Sequence, residues 1–187
     1  MDLASGDIRL RTLRLRDRVA WDALRVRNAA WLRPWEATSP EAAALRPTFA
    51  QYVRSQNRAA RRGEGYAYVI EVGGQMVGQL TISSVTRGSL QSATIGYWIA
   101  EDMAGRGIVP VCVALATDFC FFELGLHRVE INIRPENAAS LRVVAKLGFR
   151  DEGVRRQYLH INGTWADHRS FALTVDEAQG GLAARLR

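Results

Sequence analysis

Two glycines and an arginine stand between a strand-like segment and an apolar segment, an arrangement that suits anion binding. Gly105, Arg106 and Gly107 follow the strand-like residues 95–99 and come directly before Ile108. The first turn of a helix offers backbone N–H groups without intrahelical partners and the positive end of the helix dipole. Glycine lets a phosphate approach the backbone closely, and the guanidinium adds a permanent charge. These residues therefore predict a phosphate-binding loop.

Two familiar phosphate-binding motifs do not fit this loop. No Gly-Lys-Ser/Thr run is present, which excludes a P-loop, and Pro110 stands where a dinucleotide-binding motif needs its third glycine. A proline in the first helical turn costs nothing there, because its missing N–H would have no partner. A tight turn that simply requires glycine remains an alternative at this point.

A second polar pair begins the short amphipathic segment 137–146. Asn137 and Ser140 are three residues apart, so on a helix their side chains share one face. Asn137 also suits the N-cap position, and capping is an alternative explanation for both residues. Gly148 is a typical residue for ending such a helix.

The elements that must position these residues are those of an α+β protein. Alternation of apolar and polar residues, with turn signals between segments, predicts seven strands at 8–15, 66–72, 75–84, 92–99, 128–134, 149–160 and 169–175. Helical spacing predicts helices at 108–124 and 137–146. A third predicted helix is capped by Asp17 and runs to Asn28. A fourth starts at Ser39-Pro40-Glu41, breaks near Pro47 and ends at Arg62.

Composition limits the classes of protein to consider. A chain of 187 residues with 48% hydrophobic and 24% charged residues predicts one globular domain, 1–187. Its core is expected at about 8–175, and the tail after 177 as a frayed helix or disordered. Without a signal peptide or a membrane-length apolar run, we expect a cytoplasmic protein with no membrane partner.

The cysteines and the charge exclude further classes. Cys112 and Cys120 form no cluster with histidines, so we expect buried thiols, no metal and no disulfide framework. The net charge is +6, but it is dispersed. Arg58, Arg61 and Arg62 favour a solvated helix face over a nucleic-acid patch, so nucleic acid is not an expected partner.

The two polar motifs together resemble the GNAT acetyltransferase superfamily. The resemblance rests on Gly-Arg-Gly at a helix start, Pro-Glu-Asn-x-x-Ser at 135–140 and Lys-Leu-Gly-Phe at 146–149. Segments 32–36, 96–99 and 125–130 and the pair Asp167-His168 resemble the RimJ/RimL group, which acetylates the N-terminal amine of ribosomal proteins. The resemblance extends from Ile8 to about Val175. It implies a mixed, mostly antiparallel central sheet with splayed central strands and helices on both faces.

The resemblance also implies acetyl-CoA as the cosubstrate and assigns its contacts. The pantetheine arm pairs with the backbone of the splayed strand, the N–H groups from Gly105 to Pro110 take the pyrophosphate, and two basic side chains reach the outer phosphates. The expected cofactor-binding residues are Trp98, Ile99, Gly105, Arg106, Gly107, Ile108, Val109, Pro110, Asn137, Arg142 and Lys146. Asp102 departs from the family, which commonly has Gln or Arg at that position.

For the reaction, the resemblance implies direct attack of a neutral amine on the thioester. The expected catalytic residues are Ile99, whose N–H stabilises the oxyanion, Asn137, Ser140 and Glu36. Ser140 is the candidate to protonate the thiolate, because Val144 stands where many members have a tyrosine. Trp35, Glu36, Tyr97 and Asp167 are expected to bind the acceptor, while Glu130 is expected to pair with an arginine.

Three functions stay open from the sequence. The first is acetylation of a protein N-terminus, such as that of a ribosomal protein. The second is acetylation of a small amine, for example an aminoglycoside or a polyamine. The third is an acyl-CoA-binding module without catalysis, which Val144 and Gln157 keep open because both stand where relatives carry reactive side chains. A homodimer is an open alternative to a monomer.

Overall fold

The computed structural model describes residues 2–41 and 47–186. Eight strands form one sheet in the order β1-β2-β3-β4-β5-β6-β8-β7. All neighbouring strands are antiparallel except β5 and β6, which are parallel. The strands are β1 (Leu3–Ser5), β2 (Ile8–Thr12), β3 (Tyr66–Val72), β4 (Gln75–Thr86), β5 (Ser92–Ile99), β6 (Arg128–Ile133), β7 (Arg150–Ile161) and β8 (Thr164–Thr174). The predicted mixed, mostly antiparallel sheet is confirmed.

Helices cover both faces of this sheet, as predicted. They are α1 (Arg18–Arg27), α2 (Ala29–Leu32), α3 (Phe49–Arg62), α4 (Ile108–Asp118) and α5 (Ala138–Leu147). Successive side chains of β3 point to opposite faces of the sheet, because side chains alternate along a strand. Tyr68 and Ile70 join the main core that contains residues of α4 and α5, whereas Val69 packs with Val53 of α3 in a second cluster.

The central strands splay, which is the feature that positions the site. β5 and β6 pair only from Ser92–Arg128 to Thr94–Glu130. β5 then continues to Ile99 while paired with β4 alone. Its far edge therefore presents backbone groups to a cleft between the diverging strands rather than to a neighbouring strand.

The structure corrects several predicted elements. An unpredicted strand, β1, precedes β2, and β2 ends at Thr12 rather than Leu15. The helix predicted at 108–124 changes to π geometry over Phe119–Glu123. For the helix predicted from Ser39-Pro40-Glu41, residues 42–46 lie outside the described residues. The helix that reaches Arg62 begins at Phe49, where Thr48 and Gln51 form a capping box.

Asp17 does not cap α1 with its side chain, contrary to prediction. Its carboxylate instead accepts hydrogen bonds from the Arg11 guanidinium, at 2.7 and 3.0 Å, and from the Arg14 N–H. Asp17 is 7% exposed, so a buried carboxylate needs such partners. Asp17 thus serves a buried ion pair and the capping box of the short 3-10 helix Leu15–Asp17, rather than the start of α1.

The prediction of a frayed or disordered tail is wrong. Ala178 and Leu182 are buried in the main core, and a short 3-10 helix covers Ala184–Leu186. The carboxylate of Asp118 accepts hydrogen bonds from the N–H groups of Leu182 and Ala183, at 2.7 and 2.9 Å. One side chain of α4 therefore fixes the end of the chain.

Candidate active site

The loop before α4 has the geometry of an anion site. Gly105 and Gly107 both have φ of +77°, and Gly107 occupies the N-cap of α4. That conformation disfavours any residue with a Cβ, which explains both glycines. Nothing lies within 4 Å of a Cβ built on either one, so the space in front of the loop is open.

The backbone donors of this loop are available. Within residues 2–41 and 47–186, no N–H from Gly105 to Val109 donates a hydrogen bond to a backbone or side-chain acceptor. Pro110, which was expected in the same run, has no N–H and cannot donate, so the donors end at Val109. These five consecutive N–H groups at a helix start suit a pyrophosphate.

Exposed basic side chains lie on the loop and on α5. Arg106 is exposed, and Arg142 and Lys146 are exposed one turn apart on α5, so both can reach outward to phosphates. Asp102, the residue that departs from the family pattern, lies 4.0 Å from Arg27, and both side chains are largely exposed. This loose pair draws the Asp102 charge toward α1, and its effect on an anion at the loop is screened by solvent.

The edge of β5 presents a donor to the cleft. The Ala100 N–H donates to Val77 O at 2.8 Å, so residue 100 faces β4. Peptide groups alternate along a strand, and the Ile99 N–H therefore points to the splayed side. The Ile99 carbonyl accepts from Trp31 Nε1 at 3.1 Å, which fixes the end of the strand. Ile99 thus lies where an oxyanion donor was expected.

Tyr97 and Ser140 meet on the α5 side of the cleft. The Tyr97 hydroxyl is buried, and this burial raises the pKa of the phenol to about 12, while the neighbouring Ser140 hydroxyl opposes the rise. Among the described residues this hydroxyl has no hydrogen bond of good geometry. A buried donor without a partner, beside a second hydroxyl, is suited to a group that enters the cleft.

Asn137 is the N-cap of α5. Its Oδ1 accepts from the Ser140 N–H at 3.1 Å, so the capping explanation for Asn137 holds. The cap uses only the carbonyl oxygen and leaves the Nδ2 group for a ligand. Asn137 and Ser140 therefore lie together at the start of α5, as their spacing predicts.

On the opposite face of the sheet lies a groove of about 850 Å³ that opens to solvent. Six of the fifteen described residues that line it are aromatic. It is lined by Trp21, Asp22, Arg25, Leu32, Trp35, Glu36, Ala37, Pro47, Phe49, Tyr52, Gln79, Thr81, Gly96, Tyr97 and Trp98. We call it the acceptor groove. The sequence placed Trp35, Glu36 and Tyr97 at such a site, and all three residues line this groove. The Tyr97 side chain, however, points to the other face of the sheet, where its hydroxyl lies beside Ser140.

A hydrogen-bonded chain forms the floor of the acceptor groove. Trp98 Nε1 donates to Gln79 Oε1 at 3.3 Å, and Gln79 Nε2 donates to the Tyr52 hydroxyl at 2.7 Å. Gln79 is only 6% exposed, so both ends of its amide are satisfied in the interior. The Trp98 ring faces the acceptor groove, while the expected contact of its backbone with the cofactor stays a prediction.

The carboxylate of Glu36 is occupied by a partner. It forms an ion pair with Arg25, whose guanidinium lies 5.4 Å from the centre of the Trp98 ring. The segment that carries Glu36 is held by the β7–β8 hairpin, through the hydrogen bond from Thr38 N–H to His160 O at 2.8 Å. Thr38 Oγ1 also lies 2.7 Å from His160 Nδ1.

Two acidic candidates lie elsewhere. Asp167 lines a separate cavity of about 590 Å³ with Val154, Arg156 and Gln157, and its carboxylate accepts from the Gln157 N–H at 2.8 Å. Glu130 is paired with Arg128 at 2.8 Å and Arg155 at 2.9 Å, which is the pairing that the sequence predicts. Asp167 is therefore not brought to the acceptor groove.

Several groove residues were missed from the sequence. Gln79 had a usable signal, because it is a polar residue inside the apolar run 77–82. Helical spacing was the sole sequence signal for Arg25, Trp21 and Tyr52. Their places in the groove depend on how α1 and α3 pack on the sheet. Asp22 also lines the acceptor groove and lies 3.5 Å from Arg18.

The described residues contain no group of three or more His, Cys, Asp or Glu side chains that could hold a metal ion. Cys112 and Cys120 are buried free thiols, and burial raises the pKa of each to about 12. In the part of the chain that the structure describes, no helix is both long and apolar enough to cross a membrane.

Comparison with known proteins identifies similar chains. A family model described as an acetyltransferase (GNAT) domain matches residues 7–150. The [ribosomal protein uS5]-alanine N-acetyltransferase of Escherichia coli is 28% identical over 179 residues, which cover 91% of this chain and 92% of that protein. The probable N-acetyltransferase YjcK of Bacillus subtilis is 41% identical over 106 residues, which cover 56% of this chain and 59% of that protein.

A solved structure is similar over the whole chain. Mycobacterium smegmatis RimJ in complex with CoA-disulfide superimposes with a TM-score of 0.92 at 36% sequence identity. The match covers 100% of this chain and 93% of that one.

Proposed function

Because the chain belongs to the GNAT acetyltransferase family, we propose that it transfers the acetyl group of acetyl-CoA to the N-terminal α-amine of a ribosomal protein. One observation carries the proposal: the splayed edge of β5 connects a phosphate-binding loop on one side with an open, aromatic acceptor groove on the other. The likeness to a RimJ over the whole chain, and to a uS5-alanine N-acetyltransferase, supports this acceptor class. Such an acceptor would place the reaction in the cytoplasm.

In this proposal the loop before α4 binds the donor. The five N–H groups from Gly105 to Val109 hold the pyrophosphate, and Arg142 and Lys146 contact the outer phosphates. The free edge of β5 pairs with the pantetheine arm, and Asn137 Nδ2 adds a donor from the start of α5. Acetyl-CoA, as substrate, supplies an activated acetyl group on a thioester.

The Ile99 N–H is the proposed oxyanion donor. When the amine nitrogen attacks the thioester carbon, the carbonyl oxygen gains negative charge, and a fixed backbone donor stabilises that charge. Trp31 holds the carbonyl of the same residue, so the peptide is oriented before the substrate binds. Removing one such donor typically costs about 10²–10³ in rate.

Ser140 and Tyr97 are proposed to protonate the leaving group. Attack of the amine forms the new N–C bond; collapse of the tetrahedral intermediate then restores the carbonyl and breaks the C–S bond, and the departing thiolate takes a proton that Ser140 replaces from water. Ser140 would donate its hydroxyl hydrogen bond to that sulfur, with the buried Tyr97 hydroxyl beside it. The amine loses its own proton to water in the open groove, because the Glu36 carboxylate is already paired with Arg25.

The acceptor groove would hold the first residues of a peptide. Trp98 and Trp35 line the groove, and a guanidinium lies over each ring, that of Arg25 over Trp98 and that of Arg134 over Trp35. Asp22 and Glu36 add carboxylates, and Arg25 offsets one of them. An opening to solvent lets the rest of a protein acceptor remain outside.

The test is release of free CoA thiol from acetyl-CoA with a panel of acceptors. The panel contains peptides with the N-terminal sequences of ribosomal proteins, the same peptides with blocked N-termini, polyamines and an aminoglycoside. We expect saturable thiol release with the free peptides and none with the blocked peptides. Turnover with a small amine alone would support the second function, and CoA binding without turnover would support the third.

A further inference from the structure

The outer face of α3 carries arginines and no acidic residue. The sequence of Phe49–Arg62 contains four arginines, Arg54, Arg58, Arg61 and Arg62, but neither Asp nor Glu. From the sequence, the last three favoured a solvated helix face. The structure adds Arg54 to the set and shows which side of the helix the set occupies.

The arginines lie opposite the buried side of α3. Val53 and Phe49 pack toward the sheet and α1, whereas the four arginines are exposed. At 100° per residue, positions 54, 58, 61 and 62 fall within one sector of the helix. With a rise of about 1.5 Å per residue, they extend over about 12 Å along the axis. We call this set the arginine face.

Little acidic charge opposes the arginine face. Arg62 lies 3.9 Å from Glu64, and both side chains are more than half exposed. Within residues 2–41 and 47–186, Arg54, Arg58 and Arg61 form no ion pair. Four cations close together on one helix repel one another, and a polyanion relieves that repulsion.

The same helix forms a wall of the acceptor groove. Phe49 and Tyr52 of α3 line that groove, and Trp21 of α1 packs against both at centroid distances of 6.0 and 6.1 Å. A polyanion on the arginine face would therefore lie beside the entrance for the acceptor. Exposed Gln51 and Ser55 on the outer side offer neutral groups that can also contact phosphate and sugar.

We infer that the arginine face binds the phosphate backbone of RNA next to the acceptor, an inference that rests on the proposed ribosomal-protein acceptor. Guanidinium groups bind phosphate oxygens bidentately and keep their charge at all relevant pH values. A ribosomal protein in its particle binds RNA, so RNA phosphates would lie near its N-terminal segment. Contact with nearby phosphates would hold the enzyme where this segment can enter the groove.

The experiment measures anisotropy of a fluorescein-labelled 20-nucleotide RNA hairpin with the full chain, at several salt concentrations. The test variant is R54Q/R58Q/R61Q. The control, R16Q/R87Q/R156Q, removes the same charge from three exposed and scattered positions. We expect the test variant to bind about tenfold more weakly, with a log–log salt slope shallower by about 2, and the control to change less than about threefold.

Three outcomes would overturn the inference. They are absence of RNA binding by the wild type, equal losses in both triple variants, and tighter binding of polyglutamate than of the RNA. The last would assign the arginine face to an acidic protein. Acetylation of a short N-terminal peptide is measured in parallel. If the test variant still acetylates the peptide, a loss of RNA binding bears on this inference alone. The proposed function fails only if neither the wild type nor the variants acetylate the peptide.

Discussion

The Arg25 guanidinium is ion-paired with the Glu36 carboxylate and lies over the Trp98 ring of the acceptor groove. The pair joins α1 to the segment between α2 and α3, and it offsets the charge of a carboxylate that the sequence predicts to act in catalysis and acceptor binding. We propose that Glu36 balances charge at the amine rather than taking a proton from it.

We expect Glu36→Gln to act on acceptor binding. The substitution leaves Arg25 as an unpaired cation in the groove, and at a separation of several ångströms in a wet site its repulsion of a cationic N-terminus raises KM about threefold. The kcat should stay within about twofold. Steady-state kinetics with a ribosomal N-terminal peptide test this, and R25Q/E36Q should restore much of the KM because the two charge changes cancel. A hundredfold loss in kcat with unchanged KM would instead make Glu36 the base.

The phosphate loop is tested by Gly107→Glu. A side chain at φ of +77° is strained, and a carboxylate there repels the phosphates, so CoA should bind at least about a hundredfold more weakly by calorimetry. The control is Gly88→Glu in the β4–β5 turn, where φ is +72° and a Cβ also meets nothing within 4 Å. The control should lose comparable stability and keep its CoA affinity. Normal CoA binding by the Gly107 variant would contradict the assignment.

Much of the fold was predictable because it depends on local patterns. Alternation located the strands of the central meander, and the glycines at 105, 107 and 148 marked the ends of helices that the structure shows there. The tail was not predictable in this way. Ala178 and Leu182 pack in the main core, and Asp118, far away in the sequence, accepts hydrogen bonds from residues 182 and 183, so the order of the tail depends on long-range contacts.

Part of the candidate site was likewise predictable from local sequence, and part depends on long-range packing. Gly105, Gly107, Asn137 and Ser140 stand at helix starts, and their positions follow from the sequence. The acceptor groove depends on how α1 and α3 lie against the sheet, which a sequence without long-range contacts does not determine. Asp167 is an example, because it was expected to bind the acceptor but lines a separate cavity with Arg156 and Gln157. The roles proposed for these residues and the homodimer stay predictions.

Gly78 is expected to control the position of the oxyanion donor. It pairs with Ile99 across β4 and β5, and a Cβ at residue 78 would clash with Trp98 O and lie 3.0 Å from Ile99 Cα. Gly78→Ala must push β5 away, which should cost about 2 kcal/mol of unfolding free energy. For a chain of this size, Tm should fall by about 4–8 °C. Gly96→Ala, on the neighbouring strand β5 with open space at its Cβ, should change Tm by less than about 2 °C. Equal Tm shifts in the two variants would contradict the argument.

The thermal stability of the protein should fall at acidic pH partly because of Glu152. The hydrogen bond from Arg128 lowers the pKa of this carboxyl to about 2, from an ordinary value of 4.5. A lowered folded-state pKa contributes stability that is present above pH 4.5 and is lost as pH falls toward 2. We expect Tm of the wild type to drop across that window more than Tm of Glu152→Gln, which lacks the titrating group. Parallel thermal melts at pH 6 and pH 3 test this, and identical pH dependence in both proteins would contradict it.

The Tyr97 hydroxyl should lower the free energy of unfolding and raise kcat. Because this buried hydroxyl lacks a hydrogen bond, Tyr97→Phe removes an unsatisfied group and should raise the unfolding free energy by about 1 kcal/mol. If Tyr97 assists Ser140 in protonating the thiolate, the same variant should lower kcat about tenfold, and Ser140→Ala about a hundredfold. The double variant should match Ser140→Ala, because Tyr97 then acts only through the serine. Tyr68→Phe removes another buried phenol hydroxyl, on β3, and should leave kcat unchanged. Equal kcat values for wild type and Tyr97→Phe, alongside the gain in stability, would assign Tyr97 to packing alone.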